Sequence, residues 1–104
     1  MSVRNNIRVG IIGCGVIAPC HIEGYRLLPG VEVAAVCDLV KSKAEGLSLR
    51  YGIPHIFTDY RKMLDSSAID AVSVCTDHGS HALISLDALA AGKHVICEKA
   101  LSSN

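Results

Sequence analysis

Four short apolar runs lack the alternation of polar and apolar residues that marks a half-exposed strand. Three of them are Ile7–Ile12, Val31–Cys37 and 71–75, and the fourth is 95–97. Strands that are apolar on both sides are typical of parallel sheets whose two faces are both covered by helices. Stretches of helical pattern separate these runs, so the sequence predicts an α/β fold.

The helical stretches are predicted over four segments, 16–28, 40–51, Tyr60–Leu64 and 80–91, and a further short strand is predicted at 56–57. The last helix carries an apolar face at helical spacing, made by Leu83, Leu86, Leu89 and Ala90. The whole pattern predicts a Rossmann-type, doubly wound, mostly parallel sheet of about five strands. Such a fold normally has a sixth strand, so we expect residues 1–104 to be one domain cut from a longer protein.

The composition argues against several classes of partner. The chain has 10 basic and 10 acidic residues, without the basic surplus that nucleic-acid binding needs. The longest uncharged stretch, 9–22, is interrupted by glycines and is shorter than the run of about 20 apolar residues that spans a membrane. The five cysteines form no C-x-x-C pair, which favours buried thiols over a disulfide framework or a zinc site. We therefore expect a cytoplasmic protein.

A glycine-rich turn follows the first predicted strand and opens the first predicted helix. Residues 13–18 have the form G-x-G-x-x-A. The first glycine allows a tight turn, the second lets the backbone approach a pyrophosphate, and the alanine lets helix and strand pack closely. The N–H groups at the start of a helix favour phosphate. The predicted pyrophosphate-binding residues are Gly13, Gly15, Val16, Ile17 and Ala18.

An acidic residue stands where the second predicted strand ends. Asp38 lies twenty residues after Ala18, the spacing typical of the carboxylate that binds an adenosine ribose. Its charge would repel a 2′-phosphate, and Leu39 and Val40 follow it rather than an arginine. NAD is therefore predicted over NADP. The alternative is that Asp38 only caps the second helix.

Two further segments are expected at the ligand-facing edge of the sheet. Residues 76–81 follow the strand at 71–75, and contact with a cofactor is predicted from position alone. His78 and His81 have no partners at metal-ligand spacing, so no metal site is predicted. Glu98 and Lys99 follow the last strand. Lys99 is able to bind a substrate oxygen or to relay a proton, whereas the alternative is a solvated surface pair.

Together these features resemble one family. The matching residues are Gly13-x-Gly15-x-x-Ala18, His21, Asp38, Tyr51-Gly52-Ile53, Asp59-Tyr60, Ile69-Asp70-Ala71-Val72, His81 and Ala91-Gly92-Lys93-His94-Val95-Ile96-Cys97-Glu98-Lys99. The chain resembles the N-terminal dinucleotide-binding domain of the glucose–fructose oxidoreductase / inositol dehydrogenase (Gfo/Idh/MocA) family over about residues 5–101. The final block, which ends at Glu98-Lys99, is more specific than the glycine motif.

The resemblance implies a nicotinamide-dependent dehydrogenase, with NAD favoured over NADP, that acts on sugars, polyols or similar small alcohols and carbonyls. It implies a second, α+β domain that supplies much of the substrate pocket and the interface of a homo-oligomer. For residues 1–104 it implies cofactor binding without turnover. By position, Thr76 and His81 are implied near the nicotinamide, Glu98 in contact with the cofactor, and Lys99 as the catalytic lysine beside the substrate oxygen.

Two positions depart from the family pattern. Ala100 stands where the family has the proline of Glu-Lys-Pro, and a cis bond before Ala100 would cost about 3 kcal/mol, so we expect a trans bond after Lys99. Asp77-His78 stands where the family commonly has Pro-Asn. These differences leave a second interpretation open, in which the chain is a non-catalytic NAD-sensing or scaffold module.

Overall fold

In the part of the chain that the structure describes, five strands form one parallel sheet, and four helices accompany it. The computed structural model describes residues 6–76 and 78–96, with the backbone alone for 78–81. In chain order the elements are β1 (Ile7–Ile12), α1 (Ala18–Arg26), β2 (Val31–Cys37), α2 (Lys41–Tyr51), β3 (His55–Phe57), α3 (Tyr60–Leu64), β4 (Ala71–Val74), α4 (His78–Ala90) and β5 (His94–Ile96).

The strand order, β3-β2-β1-β4-β5, confirms the predicted doubly wound fold. All four pairs of neighbouring strands are parallel. The chain moves outward from β1 to β3, then returns to place β4 on the other side of β1. In such a sheet the connections after the two central strands leave in opposite directions, and a crevice opens at their carboxyl ends. The fold therefore places the ends of β1 and β4 at the edge where ligands bind.

The core has two buried clusters that involve different helices. One joins β1 and β2 to α1 and α2, and includes Val9, Ile11, Ile22 and Val36. The other joins the strands to α3 and α4, and includes Met63, Ile69, Val72 and Ile84. The strands are buried from both sides, as their apolar sequences predict. Within residues 6–76 and 78–96, no helix is long and apolar enough to cross a membrane.

The face of α4 that the sequence pattern singles out is not the face that packs on the sheet. Leu83, Leu86 and Leu89 are each more than half exposed, whereas the buried side chains of α4 are Ile84 and Ala88. Ile84 and Ala88 are four residues apart and lie on one side of the helix. The exposed leucine face is more apolar than the buried face made by Ile84 and Ala88, so the sequence pattern alone selects the wrong side of α4.

The start of α1 also differs from the prediction. The helix begins at Ala18 and not at 16, because the chain makes a further turn after Gly15 in which the Ala18 N–H donates to the Gly15 carbonyl at 3.2 Å. Pro19 falls in the first helical turn, where the missing N–H costs little. The glycine-rich turn is thus longer than the sequence pattern suggests, and α1 is shorter.

The amino edge of the sheet, opposite the crevice, is held by charged side chains. The Arg8 guanidinium donates to both Asp70 carboxylate oxygens, at 3.0 and 3.1 Å, and the Arg8 backbone N–H donates to Asp70 Oδ2 at 2.9 Å. Lys93 Nζ donates to the carbonyls of Ser66 and Ile69 at 2.9 and 2.8 Å. These contacts join β1, β4 and the start of β5, so this edge is built for stability.

Candidate functional site

A cleft of about 550 Å³ lies at the carboxyl ends of β1, β2 and β4. Its position matches the crevice expected at the point where the strand order reverses. Residues from every turn that follows one of the first four strands contribute to it. They are Ile12, Gly13, Cys14, Gly15, Cys37, Asp38, Leu39, Lys43, Thr58, Tyr60, Cys75, Thr76, Leu83 and Ile84.

Gly13 is fixed in place by backbone contacts that exclude a side chain. Its φ is +97°, in the region that glycine adopts without strain, and its N–H donates to the Cys37 carbonyl at 2.8 Å. A Cβ on Gly13 would lie 2.9 Å from the Cys75 carbonyl carbon and oxygen. The turn therefore lies directly against the end of β4, and glycine is required there for steric as well as conformational reasons.

Gly15 presents its Cα to open space instead. Apart from Gly15 itself and its two neighbours in the chain, no heavy atom of the described residues lies within 4 Å of the position that a Cβ on Gly15 would occupy. Gly15 lines the cleft, so the space that a side chain would fill is open at this position. This vacant cradle is the property that a pyrophosphate site needs, because phosphate oxygens must reach the backbone N–H groups.

The helix start behind the turn is suited to an anion. The N-cap residue of α1 is Ile17, and within the described residues no side-chain hydrogen bond caps it. Among these residues, no side chain therefore competes with an anion for the amino end of α1, and the helix dipole favours negative charge there. Ala18 is fully buried, as predicted for close packing of α1 on the sheet.

Val16 and Ile17 do not line the cleft itself. Val16 is 96% exposed and borders an adjoining groove of about 420 Å³, and Ile17 is 46% exposed. Neither side chain is among those that line the cleft, so any contribution of these two residues to phosphate binding would come from their backbone. The structure therefore brings Gly13, Gly15 and Asp38 together and leaves these two side chains outside.

Asp38 connects the glycine-rich turn to the end of β2. Its Oδ2 accepts the Cys14 backbone N–H at 2.8 Å, and its Oδ1 accepts the Val40 N–H at 2.8 Å. The N-cap of α2 is Val40, so Asp38 is not the cap residue of that helix. Each carboxylate oxygen has a further lone pair that is able to accept a hydrogen bond from a hydroxyl group. The carboxylate is thus held at the cleft with accepting capacity left.

Two cysteines form part of the cleft floor. The Cys14 thiol donates to the Cys37 carbonyl at 3.4 Å, and both residues are buried. Burial, reinforced by the negative charge of Asp38, raises the pKa of Cys14 to about 12. Burial also raises the pKa of Cys37 to about 12. Since the thiolate is the nucleophile, these thiols serve as packing groups.

Lys43 is a cleft residue that the sequence analysis does not identify. It lies in the first turn of α2 and, among the described residues that line the cleft, it is the basic one. Its charge reaches the glycine-rich turn, where it acts against the rise in the pKa of Cys14. In the sequence, a lysine five residues after Asp38 resembles any solvent-exposed helix residue. Its spacing from Asp38 is the feature that could have identified it as a cleft residue.

The cleft continues from Asp38 towards β3. Leu39 follows β2, Thr58 follows β3, and Tyr60 begins α3. The Tyr60 hydroxyl donates to Asp87 Oδ2 on α4 at 2.5 Å, and this bond raises the pKa of Tyr60. With Leu83 of α4, these side chains make a partly apolar wall at this end of the cleft.

The opposite end of the cleft lies after β4. Thr76 lines this end, and its implied position near a nicotinamide stays a prediction. His81 falls in the first turn of α4, but its side chain is outside the described part of the structure, as are Glu98 and Lys99 entirely. In the ranges 6–76 and 78–96, no group of three or more His, Cys, Asp or Glu residues is arranged to hold a metal ion.

Comparison with known proteins identifies the family of the chain that forms this cleft. Residues 7–104 match the sequence model of the Gfo/Idh/MocA oxidoreductase family, described as having an NAD-binding Rossmann fold. The chain belongs to the Gfo/Idh/MocA family. Its fold agrees with that of a solved scyllo-inositol dehydrogenase from Lactobacillus casei with bound NAD(H) and scyllo-inositol, at a TM-score of 0.83 and 27% identity, over 95% of this chain and 29% of that one.

Other Gfo/Idh/MocA relatives differ in substrate and cofactor. The chain is 40% identical to a D-glucoside 3-dehydrogenase from Escherichia coli over 89% of this chain and 27% of that protein. It is 29% identical to a myo-inositol 2-dehydrogenase from Thermotoga maritima over 94% of this chain and 29% of that protein. A 3-ketoreductase from Actinomadura kijaniata, solved with TDP-benzene and NADP, matches at a TM-score of 0.84 and 34% identity, over 96% of this chain and 31% of that one.

These matches cover nearly all of the chain but less than a third of the relatives. The chain spans about 29% of the length of the myo-inositol 2-dehydrogenase. The resemblance inferred from the sequence is therefore confirmed, and the chain is an NAD-binding oxidoreductase domain of Rossmann type.

Proposed function

We propose that residues 13–15 and Asp38 bind the adenosine diphosphate half of a nicotinamide dinucleotide, with NAD favoured over NADP. The observation that carries this proposal is the cleft itself, in which the open Cα of Gly15 and the Asp38 carboxylate are joined through the Cys14 N–H. The pyrophosphate would lie over the turn at the start of α1, and the adenosine ribose hydroxyls would donate to Asp38.

The sheet order gives the cofactor a direction. Asp38 follows β2, and the lining residues beyond it, Leu39 and Thr58, lie towards β3. Thr76 follows β4, on the other side of β1. The adenine is therefore proposed at the β3 end of the cleft and the nicotinamide at the β4 end. The cofactor supplies hydride transfer at its nicotinamide ring, and the protein supplies binding and orientation.

The preference for NAD is a balance between two opposite charges. Asp38 would repel a 2′-phosphate and accept the free hydroxyl of NAD. Lys43, in the same cleft, would attract such a phosphate. We give Asp38 the larger effect because its carboxylate is held by two hydrogen bonds, whereas Lys43 is exposed.

For a whole protein we propose reversible hydride transfer between the nicotinamide and a carbinol carbon of a sugar, polyol or similar compound. The relatives named for inositol and glucoside substrates support this class. Lys99 is proposed as the catalytic lysine, on the family pattern alone. The 104 residues alone are proposed to bind cofactor with little or no turnover, because in the family a second domain supplies much of the substrate pocket.

Isothermal titration of the 104-residue chain tests this function. NAD is expected to bind at one site per chain, more tightly than NADP, and a coupled assay with myo-inositol is expected to give no measurable turnover. Tighter binding of NADP would overturn the role given to Asp38. Turnover by the isolated chain would overturn the proposal that a second domain is needed.

A further inference from the structure

A hydrogen bond joins two helices that both border the cleft. Tyr60 begins α3 and lines the cleft, and its hydroxyl donates to Asp87 Oδ2 on α4 at 2.5 Å. We propose that Tyr60 and Asp87 are positioning residues, which together hold α4 so that Leu83 forms the wall for the adenine ring. This inference rests on the proposed function, since it concerns the same cleft.

Asp87 controls Leu83 through the geometry of the helix. The two residues are four positions apart on α4, so their side chains lie on the same side of the helix, one turn from each other. Leu83 lines the cleft, although 54% of its surface is exposed. A rotation or outward shift of α4 would carry Leu83 away from Leu39 and Thr58. A contact at Asp87 therefore sets the width of the cleft at its adenosine end.

The packing of α4 on the sheet is thin, which gives this contact its importance. Among the described side chains of α4, residues 82–90, the buried ones are Ile84 and Ala88. Leu86 and Leu89 are 65% and 60% exposed. Small apolar contacts alone resist sliding and rotation weakly, because they are not directional. A hydrogen bond to a carboxylate is directional and stronger than one between neutral groups.

The donor end of the bond is fixed as well. Asp59 is the N-cap of α3, and its Oδ1 accepts the Arg61 N–H at 2.9 Å. The Arg61 guanidinium lies over the Tyr60 ring, 5.3 Å from its centroid. Tyr60 therefore presents its hydroxyl from a ring whose orientation is constrained, as a positioning role requires.

The chain contains a matched control for the same chemistry. The Tyr51 hydroxyl donates to Glu23 Oε2 at 2.6 Å, and the Arg26 and Arg50 guanidiniums lie over the Tyr51 ring. This bond joins α1 to α2, and Tyr51 borders a separate cavity with Arg26 and Pro54. Removing either tyrosine hydroxyl thus deletes the same kind of helix–helix bond, but only Tyr60 belongs to the cleft.

The test compares Tyr60→Phe with Tyr51→Phe by isothermal titration with NAD and with ADP-ribose, together with their melting temperatures. Tyr60→Phe is expected to weaken the binding of NAD and of ADP-ribose by the same factor, about three- to tenfold, because only part of the free energy of a lost hydrogen bond to a charged acceptor is transmitted to the cleft. Tyr51→Phe is expected to leave both affinities within about twofold of the parent chain, since surface changes away from a site have small effects.

Two Asp87 variants keep the test decisive if Tyr60→Phe folds poorly. Asp87→Asn retains an acceptor oxygen and is expected to bind NAD within about threefold of the parent chain, whereas Asp87→Leu is expected to match the loss in Tyr60→Phe. If both Tyr60→Phe and Asp87→Leu bind NAD as tightly as the parent chain, the positioning role is overturned. It is also overturned if the variants lose affinity for NAD but keep their affinity for ADP-ribose. If the parent chain itself fails to bind NAD, it is the proposed function that fails.

Discussion

The Cys14 backbone N–H donates to Asp38 Oδ2 at 2.8 Å, and this bond joins the two parts of the sequence that are proposed to bind a dinucleotide. The residues are 24 positions apart. The parallel pairing of β1 with β2 brings them together, with Ile12 opposite Cys37. The Asp38 carboxylate and the glycine-rich turn are thus held at a fixed separation before any ligand arrives, and under the proposed function this reduces the entropic cost of binding.

Replacing Asp38 should weaken NAD binding and remove the preference over NADP. Asp38→Ala loses the contacts to Cys14 and Val40 as well as the ribose acceptor, so NAD affinity is expected to fall more than about tenfold. Asp38→Asn keeps an acceptor but removes the charge, and it should bring the NAD and NADP affinities within about threefold of each other. Titration of both variants with both cofactors checks this. An Asp38→Asn chain that still rejects NADP would show that the carboxylate charge is not the discriminating group.

Gly13 and Gly15 should respond to alanine in opposite ways. In Gly13→Ala the positive φ and the 2.9 Å approach to the Cys75 backbone are expected to lower the free energy of unfolding by about 1–3 kcal/mol or more. In Gly15→Ala the added methyl group meets open space, so stability should change by less than about 0.5 kcal/mol. NAD affinity should nonetheless fall about tenfold or more, because the methyl group occupies the space left for the pyrophosphate.

Urea unfolding and NAD titration of these two variants separate the roles. The expected pattern is a destabilised Gly13→Ala and a stable Gly15→Ala that binds NAD poorly. A stable Gly15→Ala chain with unchanged NAD affinity would contradict the placement of the pyrophosphate over this turn.

Lys43→Ala should weaken NADP more than NAD. Loss of the cation that faces the glycine-rich turn is expected to cost about twofold in NAD affinity and about fivefold in NADP affinity, because the extra phosphate carries the additional charge. Both losses should shrink as salt is raised. Lys41→Ala is the matched control, since Lys41 pairs with Glu45 at 3.8 Å along the same helix and is not among the residues that line the cleft. Equal losses in the two lysine variants would assign the effect to net charge alone.

Acid should weaken the amino edge of the sheet through Asp70. The Arg8 guanidinium lowers the pKa of Asp70 to about 2, below the value of about 3.9 in an unfolded chain. A carboxyl whose pKa is lower in the folded state stabilises that state above pH 4 or so, and this contribution is lost as the pH falls towards about 2. The stability difference between the parent chain and Asp70→Asn should therefore shrink by more than half from about pH 6 to about pH 2.5.

Urea denaturation at several pH values measures this difference. Glu45→Gln, which breaks the exposed pair with Lys41, is the control and should change stability little at any of these pH values. A parent–Asp70→Asn difference that does not vary with pH would show that the Arg8 contact does not depend on the carboxylate charge.

The strand sequences and the spacing of the glycines and Asp38 were enough to predict the sheet and the meeting of Gly13, Gly15 and Asp38 at one cleft. Both are local patterns that the order of strands brings together, and Ile7–Ile12, Val31–Cys37 and Tyr60–Leu64 are found at the predicted bounds. The side of α4 that packs on the sheet was not predictable from its pattern, because Leu83, Leu86 and Leu89 form a more apolar stripe than Ile84 and Ala88.

Long-range side-chain contacts were also beyond the sequence. Lys93 belongs to the block that is most specific to the family, yet it donates to the carbonyls of Ser66 and Ile69 at the edge away from the cleft. Tyr60 and Asp87 are 27 residues apart, and nothing in their local sequence links them. Such contacts depend on how the helices pack on the sheet, which the local sequence does not specify.

The central claim is that the cleft at Gly15 and Asp38 takes a nicotinamide dinucleotide, and the most direct measurement is an amide NMR titration of the 11.0 kDa chain with NAD. NAD is expected to shift the amide signals of Cys14, Gly15 and Leu39, while those of Gly52 and Ile53, beside the cavity that Tyr51 borders, stay in place. Shifts centred on Gly52 and Ile53, or no shifts at saturating NAD, would contradict it.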